Sequence, residues 1–228
     1  MPFDPVYLIL ILVIMLASSG VGSMLKSRFR RYSQVPLPVT GRQVAEQMLR
    51  RYGVEGVKIV AERGSLTDHY NPARKTVNLS EPVYHANSVA AAAVAAHEVG
   101  HAIQHATAYP ALAMRSALVP VVGIGSRLAP MLILIGLVLM GAGGSGVVAL
   151  IGIGLFAMTT LFAFITLPVE FDASRRALVF LQESGLTGAM EQGQAKDALF
   201  WAAMTYVVAA LASLGQLLYF LMIFLKRR

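Results

Sequence analysis

The sequence predicts a mainly α-helical membrane protein with about four transmembrane helices and one small α+β domain. Of its 228 residues, 56% are hydrophobic and only 14% are charged, and the mean hydropathy is +0.63. Soluble domains seldom combine so few charges with long apolar runs. The one sizeable polar stretch, residues 26–116, lies between apolar runs. We expect it to form a membrane-proximal domain that holds the functional residues, with its most motif-rich helix packed at the membrane face.

The basic residues indicate a membrane orientation and give no reason to expect a nucleic-acid partner. The formal net charge is +7, and twelve of the nineteen Lys and Arg residues fall between Lys26 and Arg115, beside apolar segments. Basic residues beside membrane spans mark the cytoplasmic side. Sixteen of them fall on the side of the polar domain and three at the tail, Lys226–Arg228. This difference predicts a cytoplasmic domain.

The N-terminal segment, residues 1–25, predicts an uncleaved transmembrane anchor with its N-terminus outside. Its apolar run extends from about Val6 to Leu25 and is followed by a basic cluster: Lys26, Arg28, Arg30 and Arg31. A secretory signal would carry its positive charge before the apolar core instead. Small residues at positions 17–22 resemble a cleavage region, which leaves removal of the segment as the alternative.

Short helices and a hairpin are predicted inside the polar domain. Thr40 can cap a helix over Gly41–Tyr52, and Val57–Val60 alternates like a strand. Leu66–Tyr70 and Thr76–Leu79 flank a turn-rich pentapeptide and predict a β-hairpin. An antiparallel hairpin could offer an edge strand to an extended substrate, or it could be purely structural.

Residues 117–167 predict a transmembrane hairpin of two apolar helices. The first is expected to start near Arg127 after an amphipathic approach, because a longer span would bury that arginine in the membrane. A glycine-rich turn separates it from Val147–Leu167, which has about the length that a bilayer requires. We expect Pro168 to end this helix.

The rest of the chain is predicted to return to the side of the polar domain and then to span once more. Residues 168–197 predict an amphipathic helix, Val169–Glu183, followed by a loop rich in Gly and Gln at Thr187–Asp197. Residues 198–228 hold the fourth apolar run, about Phe200–Leu225. It is long enough for a C-terminal transmembrane helix.

One motif dominates the polar domain: His97-Glu98-Val-Gly-His101, in an alanine-rich helix that Asn87 or Ser88 can cap. Two histidines four residues apart project from one helix face, about 6 Å apart along the axis. Two such imidazoles can bind one zinc ion, and Glu98 can reach a zinc-bound water as general base. The alternative is a pair of core histidines. Because the chain has no cysteine, a metal here requires histidine and carboxylate ligands.

A catalytic zinc needs a third protein ligand and an open position for water. His105 lies on the same helix face, but about 12 Å along the axis from His97, so it belongs in the polar network around the site. His69 and His85 are expected to be surface or substrate-cleft residues. The better candidate is Glu170, where the third apolar run ends. Its position leaves open whether it is a ligand or a helix cap.

Three stretches carry a family resemblance that covers essentially the whole chain. They are the hairpin Asp68–Ser80, the helix around His97–His105, and Leu167-Pro-Val-Glu-Phe-Asp-Ala-Ser-Arg-Arg-Ala. Together they resemble the YugP-type neutral zinc metallopeptidases, which are bacterial membrane proteases. They resemble more distantly the HtpX and Ste24 membrane proteases, which are gluzincins with a downstream glutamate in the zinc site.

The resemblance implies a zincin-like catalytic domain with one Zn²⁺ per chain. By position, the zinc ligands are His97, His101 and Glu170, and the general base is Glu98. In the HtpX-like pattern an acidic residue often follows the ligand glutamate by four positions, where this chain has Ser174.

Other residues near the third ligand and in the hairpin are candidates for supporting roles. Asp172 is expected to hydrogen-bond a ligand histidine and to fix its ring orientation, as outer carboxylates do. A group besides the metal must stabilise the oxyanion of the transition state. The candidates are Arg175, Arg176, His69 and Tyr70.

The activity implied is zinc-assisted hydrolysis of peptide bonds in membrane proteins, membrane-associated proteins or unfolded polypeptides. We expect a multi-pass protein of the bacterial inner membrane, in contact with the lipid bilayer, with a place in protein quality control. Two other classes are open: an inactive zinc-binding scaffold or adaptor, and a transporter or channel component. Self-association and membrane partner proteins are open as well.

Overall fold

The computed structural model describes residues 4–226 and is mainly helical. In chain order its elements are α1 (Pro5–Tyr32), α2 (Gly41–Arg51), β1 (Lys58–Glu62), β2 (His69–Asn71), β3 (Thr76–Ser80), α3 (Glu81–His85), α4 (Val89–Ala106), α5 (Pro110–Gly141), α6 (Val147–Glu183) and α7 (Ala189–Lys226). By length and composition, α1, α5, α6 and α7 could each cross a membrane, so the four long apolar helices that the sequence predicts are confirmed. Residues 1–3 and the last two residues of the basic tail lie outside the described residues.

The contacts within the chain divide it into two compact units. One, here called the apolar unit, contains the chain up to Gly20, Met114–Leu167 and the chain from Thr205 onward. The other, here called the polar unit, contains Val21–Ala113 and Pro168–Met204. Each of the four long helices therefore contributes residues to both units.

Within the apolar unit, α5 and α6 pack through small residues. A Cβ atom on Gly136 would lie 2.1 Å from the backbone nitrogen of Ala149, and one on Gly152 would lie 2.7 Å from that of Ile133. Small residues at such positions allow transmembrane helices to approach closely. Many large apolar side chains of this unit are exposed, Val138 at 63% among them. This distribution is expected for helices that face lipid.

The core of the polar unit forms around α4. Its alanines from Ala90 to Ala102 are almost completely buried, and the apolar face of α2, with Val44 and Met48, belongs to the same core. Alanine is the strongest helix former and its small side chain lets neighbours approach on every side. The predicted caps are present: Thr40 and Gln43 form a capping box at α2, and the Ser88 hydroxyl accepts from the backbone N–H of Ala91.

The sheet of the polar unit has the strand order β1-β3-β2. β2 and β3 pair antiparallel, with Tyr70 opposite Val77, so the predicted hairpin is confirmed, with a shorter first strand and a second strand one residue longer than predicted. β1 pairs with β3 in parallel. Asp68 holds the hairpin at its open end, because its carboxylate accepts from the backbone N–H of Ser80 at 2.7 Å and from the Ser80 hydroxyl at 3.0 Å. In this strand order, β2 lies at an edge of the sheet.

Two predicted helix limits are wrong, and a third segment is helical throughout. α5 is one continuous helix from Pro110 that passes through two prolines, so the predicted approach segment and the predicted span from near Arg127 lie in the same helix. α6 continues through Pro168 to Glu183, and α7 begins at Ala189, inside the predicted loop. A proline removes one backbone hydrogen bond, and in a long packed helix the remaining bonds and neighbours keep the helix continuous.

Candidate metal centre

Helix α4 brings the two motif histidines together. One helical turn separates them, and their Nε2 atoms lie 3.1 Å apart. The two rings meet edge to face, with centroids 4.7 Å apart. The side chains are only 14% and 12% exposed for His97 and His101. The motif therefore presents two ring nitrogens to one buried point.

Helix α6 brings Glu170 to the same point. Its Oε2 atom lies 3.3 Å from Nε2 of His97 and 3.7 Å from Nε2 of His101. Glu170 is buried and lies well inside α6. The alternative role as a cap at a helix N-terminus is therefore wrong.

The close approach of α4 and α6 depends on Gly100, inside the motif. A Cβ atom at this position would lie 2.7 Å from the carbonyl oxygen of Ala173 and 3.0 Å from its Cα. Both are backbone atoms, which cannot rotate away. Glycine at this position thus permits the helix distance at which Glu170 reaches the two histidines.

The three side chains fit a zinc ion. Around a tetrahedral zinc with bonds of roughly 2.0–2.1 Å, ligand atoms lie about 3.3–3.5 Å apart, and here the separations are 3.1, 3.3 and 3.7 Å. Oε2 of Glu170 is buried without a hydrogen-bond partner, which is costly unless a cation or donor faces it. Two histidines and one glutamate are a ligand set typical of catalytic zinc. His97, His101 and Glu170 could therefore hold the metal.

Each histidine has a neutral group behind it, at the ring nitrogen that points away from the shared point. The Ser174 hydroxyl lies 3.1 Å from Nδ1 of His97, and Oε1 of Gln104 lies 3.0 Å from Nδ1 of His101. Ser174 occupies the position at which the resemblance predicts an acidic residue. Gln104 was not predicted. Its spacing of three residues from His101 on an otherwise apolar helix face was the available signal.

Asp172 does not lie directly behind a histidine in its described hydrogen bonds. Its carboxylate accepts from Nε2 of Gln104 at 2.9 Å, from Nε of Arg176 at 2.6 Å and from Arg175. Gln104 therefore stands between Asp172 and His101. The two arginines, predicted as oxyanion candidates, are ion-paired to this carboxylate.

Glu98 is buried beside the candidate ligands. Burial raises the pKa of its carboxyl, while the nearby His97 and His101 oppose the rise and Glu170 and Asp68 add to it. A carboxylate with a raised pKa accepts a proton more readily than an ordinary glutamate. Asp68, at the base of the hairpin, is thus part of the electrostatic surroundings of the predicted base, which the sequence did not indicate.

The remaining predicted histidines have partners elsewhere. Nδ1 of His105 lies 2.8 Å from the hydroxyl of Tyr70, which joins the edge strand β2 to α4, and burial raises the pKa of Tyr70. His69 contacts the carbonyl of Thr67 at 2.8 Å. His85 packs its ring against Tyr84. None of these histidines belongs to the ligand cluster found among residues 4–226.

Two comparisons with known proteins match this chain. A family model described as "Putative neutral zinc metallopeptidase" matches residues 7–225. The chain is 45% identical over 207 residues to "Putative membrane protease YugP" of Bacillus subtilis (strain 168), covering 89% of each chain. No solved structure matches the chain.

Proposed function

This chain belongs to the neutral zinc metallopeptidase family, and on that premise we propose that it is a membrane-embedded zinc endopeptidase of the gluzincin type. His97, His101 and Glu170 bind the zinc, and Glu98 is the general base. The observation that carries the proposal is the convergence of two Nε2 atoms and one carboxylate oxygen at a single buried point. These atoms come from two helices that are far apart in the sequence.

The chemistry follows from the ligand set and from Glu98. Held by these three side chains, zinc would act as a Lewis acid toward the attacking water and the scissile carbonyl. Glu98 accepts a proton from the attacking water as the new C–O bond forms. It then donates that proton to the leaving amine as the C–N bond breaks. The raised pKa of Glu98 supports both transfers.

Each of the four groups predicted to stabilise the oxyanion has a partner in the structure. Arg175 and Arg176 are engaged by Asp172, and His69 contacts the carbonyl of Thr67. The Tyr70 hydroxyl is held by His105, one helical turn beyond His101. The oxyanion role therefore stays a prediction for all four groups.

The substrates we propose are extended segments of membrane proteins or unfolded polypeptides. Strand β2 has β3 on one side only, so its other edge can pair with an extended chain. Glu170 follows the apolar run Val147–Leu167 by three residues, which favours substrates at a membrane. The distribution of basic residues supports a cytoplasmic site at the bacterial inner membrane.

The test compares the purified full chain with Glu98→Gln in detergent. Bound zinc and cleavage of an unfolded protein are measured on the same samples, with and without a chelator. We expect zinc in both proteins and chelator-sensitive cleavage only by the parent, because glutamine cannot accept the proton. Zinc in both without cleavage by either would favour the scaffold function, and equal cleavage by both would contradict the role of Glu98.

A further inference from the structure

Beyond the three candidate ligands, a buried polar network connects α4 with the helix that carries Glu170. We infer that Gln104 is a positioning residue that fixes His101 in the tautomer with its proton on Nδ1, and that Asp172 fixes Gln104. This inference rests on the proposed zinc site but not on peptide hydrolysis. It therefore concerns how the chain prepares its ligands before a metal arrives.

The orientation of the Gln104 amide is determined by its two acceptors. Its Nε2 group donates to the carbonyl oxygen of Val169 at 2.8 Å and to Oδ2 of Asp172 at 2.9 Å. An amide nitrogen has two donors and no acceptor, so both of its hydrogens are used. The reversed amide would place an oxygen against two other oxygens. Oε1 must therefore face His101.

The tautomer of His101 follows from this orientation. Oε1 of Gln104 can only accept, so the neutral imidazole donates from Nδ1 across the 3.0 Å contact. Its Nε2 atom then carries a lone pair, and it faces Nε2 of His97 and Oε2 of Glu170. The ring is thus held in the state that binds a metal.

The network also joins ligands from two helices. Val169 and Asp172, which accept from Gln104, lie on either side of Glu170 in α6. Asp172 is bound in turn by Arg175 and Arg176, which keeps its carboxylate in place. Gln104 is fully buried, and an unsatisfied buried amide is costly. The same amide thus fixes the orientation of the His101 ring and the position of the α6 segment that carries Glu170.

The hydroxyl of Ser174, behind His97, does not fix a tautomer in the way that Gln104 does. The Ser174 hydroxyl at 3.1 Å can donate or accept, because its hydrogen rotates. His97 is therefore oriented by Ser174 without being restricted to one tautomer. Of the two motif histidines, only His101 is held in the tautomer that binds a metal through Nε2.

The test measures zinc affinity in the Glu98→Gln background by competition with a coloured chelator. Gln104→Met keeps the size of the side chain and removes its polar atoms, and we expect zinc binding to weaken by about 10–100-fold. The matched control is Gln192→Met. That glutamine also joins two segments, because it donates to the backbone carbonyl of Leu178 and accepts from the hydroxyl of Thr187, and neither of these described bonds involves a candidate ligand. We expect the control to lose thermal stability and to stay within about twofold of the parent in zinc affinity.

A second variant keeps the inference testable if Gln104→Met does not fold. Asp172→Asn retains an acceptor for the arginines but offers Gln104 either a donor or an acceptor, so only the carbonyl of Val169 still fixes the orientation of the amide. We expect a smaller loss of zinc affinity than in Gln104→Met, with an altered Co²⁺ absorption spectrum. A folded Gln104→Met that binds zinc like the parent overturns the inference. If that protein does not fold, parent-like affinity and spectrum in Asp172→Asn overturn it.

The outcomes separate this inference from the proposed function. If the unsubstituted chain binds zinc and cleaves protein, and Gln104→Met causes no loss of zinc affinity in the Glu98→Gln background, the inference alone is contradicted. If the unsubstituted chain binds zinc without cleaving, and Gln104→Met causes the expected loss, the peptidase is contradicted and the inference is supported. If the unsubstituted chain binds no zinc, the proposed function and the inference are both contradicted.

Discussion

Helices α4 and α6 supply the candidate ligands in two different ways. On α4, one turn of helix places His97 and His101 on the same face, where their Nε2 atoms lie 3.1 Å apart. On α6, Glu170 reaches the same point only because the two helices pack closely at Gly100 and Ala173. One part of the site is a property of a short peptide, and the other is a property of the folded unit.

This difference teaches that the motif alone is an incomplete zinc site. A helix with two correctly spaced histidines offers two ligands, whereas a catalytic zinc requires three. The third ligand, its distance and the groups behind the rings all depend on α6. Variants that leave the motif intact but disturb α6 should therefore affect the metal strongly.

The largest effect is expected from Glu170→Gln, which tests whether α6 provides a ligand. The variant keeps the shape and removes the negative charge, and a neutral amide is a poor zinc ligand. We expect zinc affinity to fall by more than the roughly 100-fold that marks the upper range for outer groups. Metal content after dialysis measures it.

The matched control is Glu183→Gln, at the end of the same helix. Glu183 pairs with Arg51 at 2.7 Å in an exposed position, where salt bridges contribute little. It should retain one zinc per chain. Full zinc retention in Glu170→Gln would show that α6 holds no ligand.

The next largest effect is expected from a substitution inside the motif that disturbs the packing of α4 against α6. In Gly100→Ala, both histidines and Glu98 remain, but the new Cβ collides with the backbone of Ala173. Overpacking of this kind costs about 1–3 kcal/mol. We expect a lower unfolding temperature together with weaker zinc binding, measured by thermal unfolding and chelator competition.

Gly193→Ala provides the control for a helical glycine in the polar unit. A Cβ atom there has nothing within 4 Å, and alanine favours a helix by about 1 kcal/mol over glycine. This variant should be as stable as the parent or more so, with unchanged zinc affinity. Unchanged zinc affinity in Gly100→Ala would show that the distance between α4 and α6 is not critical.

A smaller effect sharpens the comparison between the two histidines. Ser174→Ala removes the hydroxyl 3.1 Å from Nδ1 of His97, which orients this ring without restricting it to one tautomer. We expect zinc affinity to fall by about 10-fold at most, below the loss in Gln104→Met. Ser184→Ala, which loses only a bond to the carbonyl of Leu181, is the control. A larger loss for Ser174→Ala than for Gln104→Met would reverse our ranking of the two rings.

The smallest effect concerns the hairpin, outside both ligand helices. Burial raises the pKa of Asp68 from the ordinary value of 3.8, against the hydrogen bonds from Ser80. The folded protein therefore holds this proton more tightly than the unfolded chain does. Its stability falls as the pH rises through the raised pKa. Asparagine does not titrate, and its oxygen can accept from Ser80.

The stability of Asp68→Asn relative to the parent should therefore be higher at neutral pH than below a pH of about 4. Thermal unfolding of both proteins at the two pH values measures the difference. A stability difference that does not change with pH would contradict the raised pKa. A difference that changes in the opposite direction would show that the carboxylate, not the acid, is the favoured form.

The sequence by itself determined the parts of the molecule that depend on short-range patterns. The four apolar runs, the caps at Thr40 and Ser88, and the hairpin were readable from hydropathy, capping residues and alternation. The placement of His97 and His101 on one face was readable as well, because it depends only on the helical repeat. The site's ligand set was indicated by position and resemblance, with Glu170 as the third member.

Only the tertiary structure decided what depends on neighbours. Local rules predicted that Pro168 ends a helix, but α6 continues past it, because packing preserves a helix that lacks one hydrogen bond. The role of Gln104 required Val169 and Asp172 from α6, and no local pattern specifies a partner that distant. A helical repeat is a property of adjacent residues, whereas the distance between two helices is set by the side chains that meet between them.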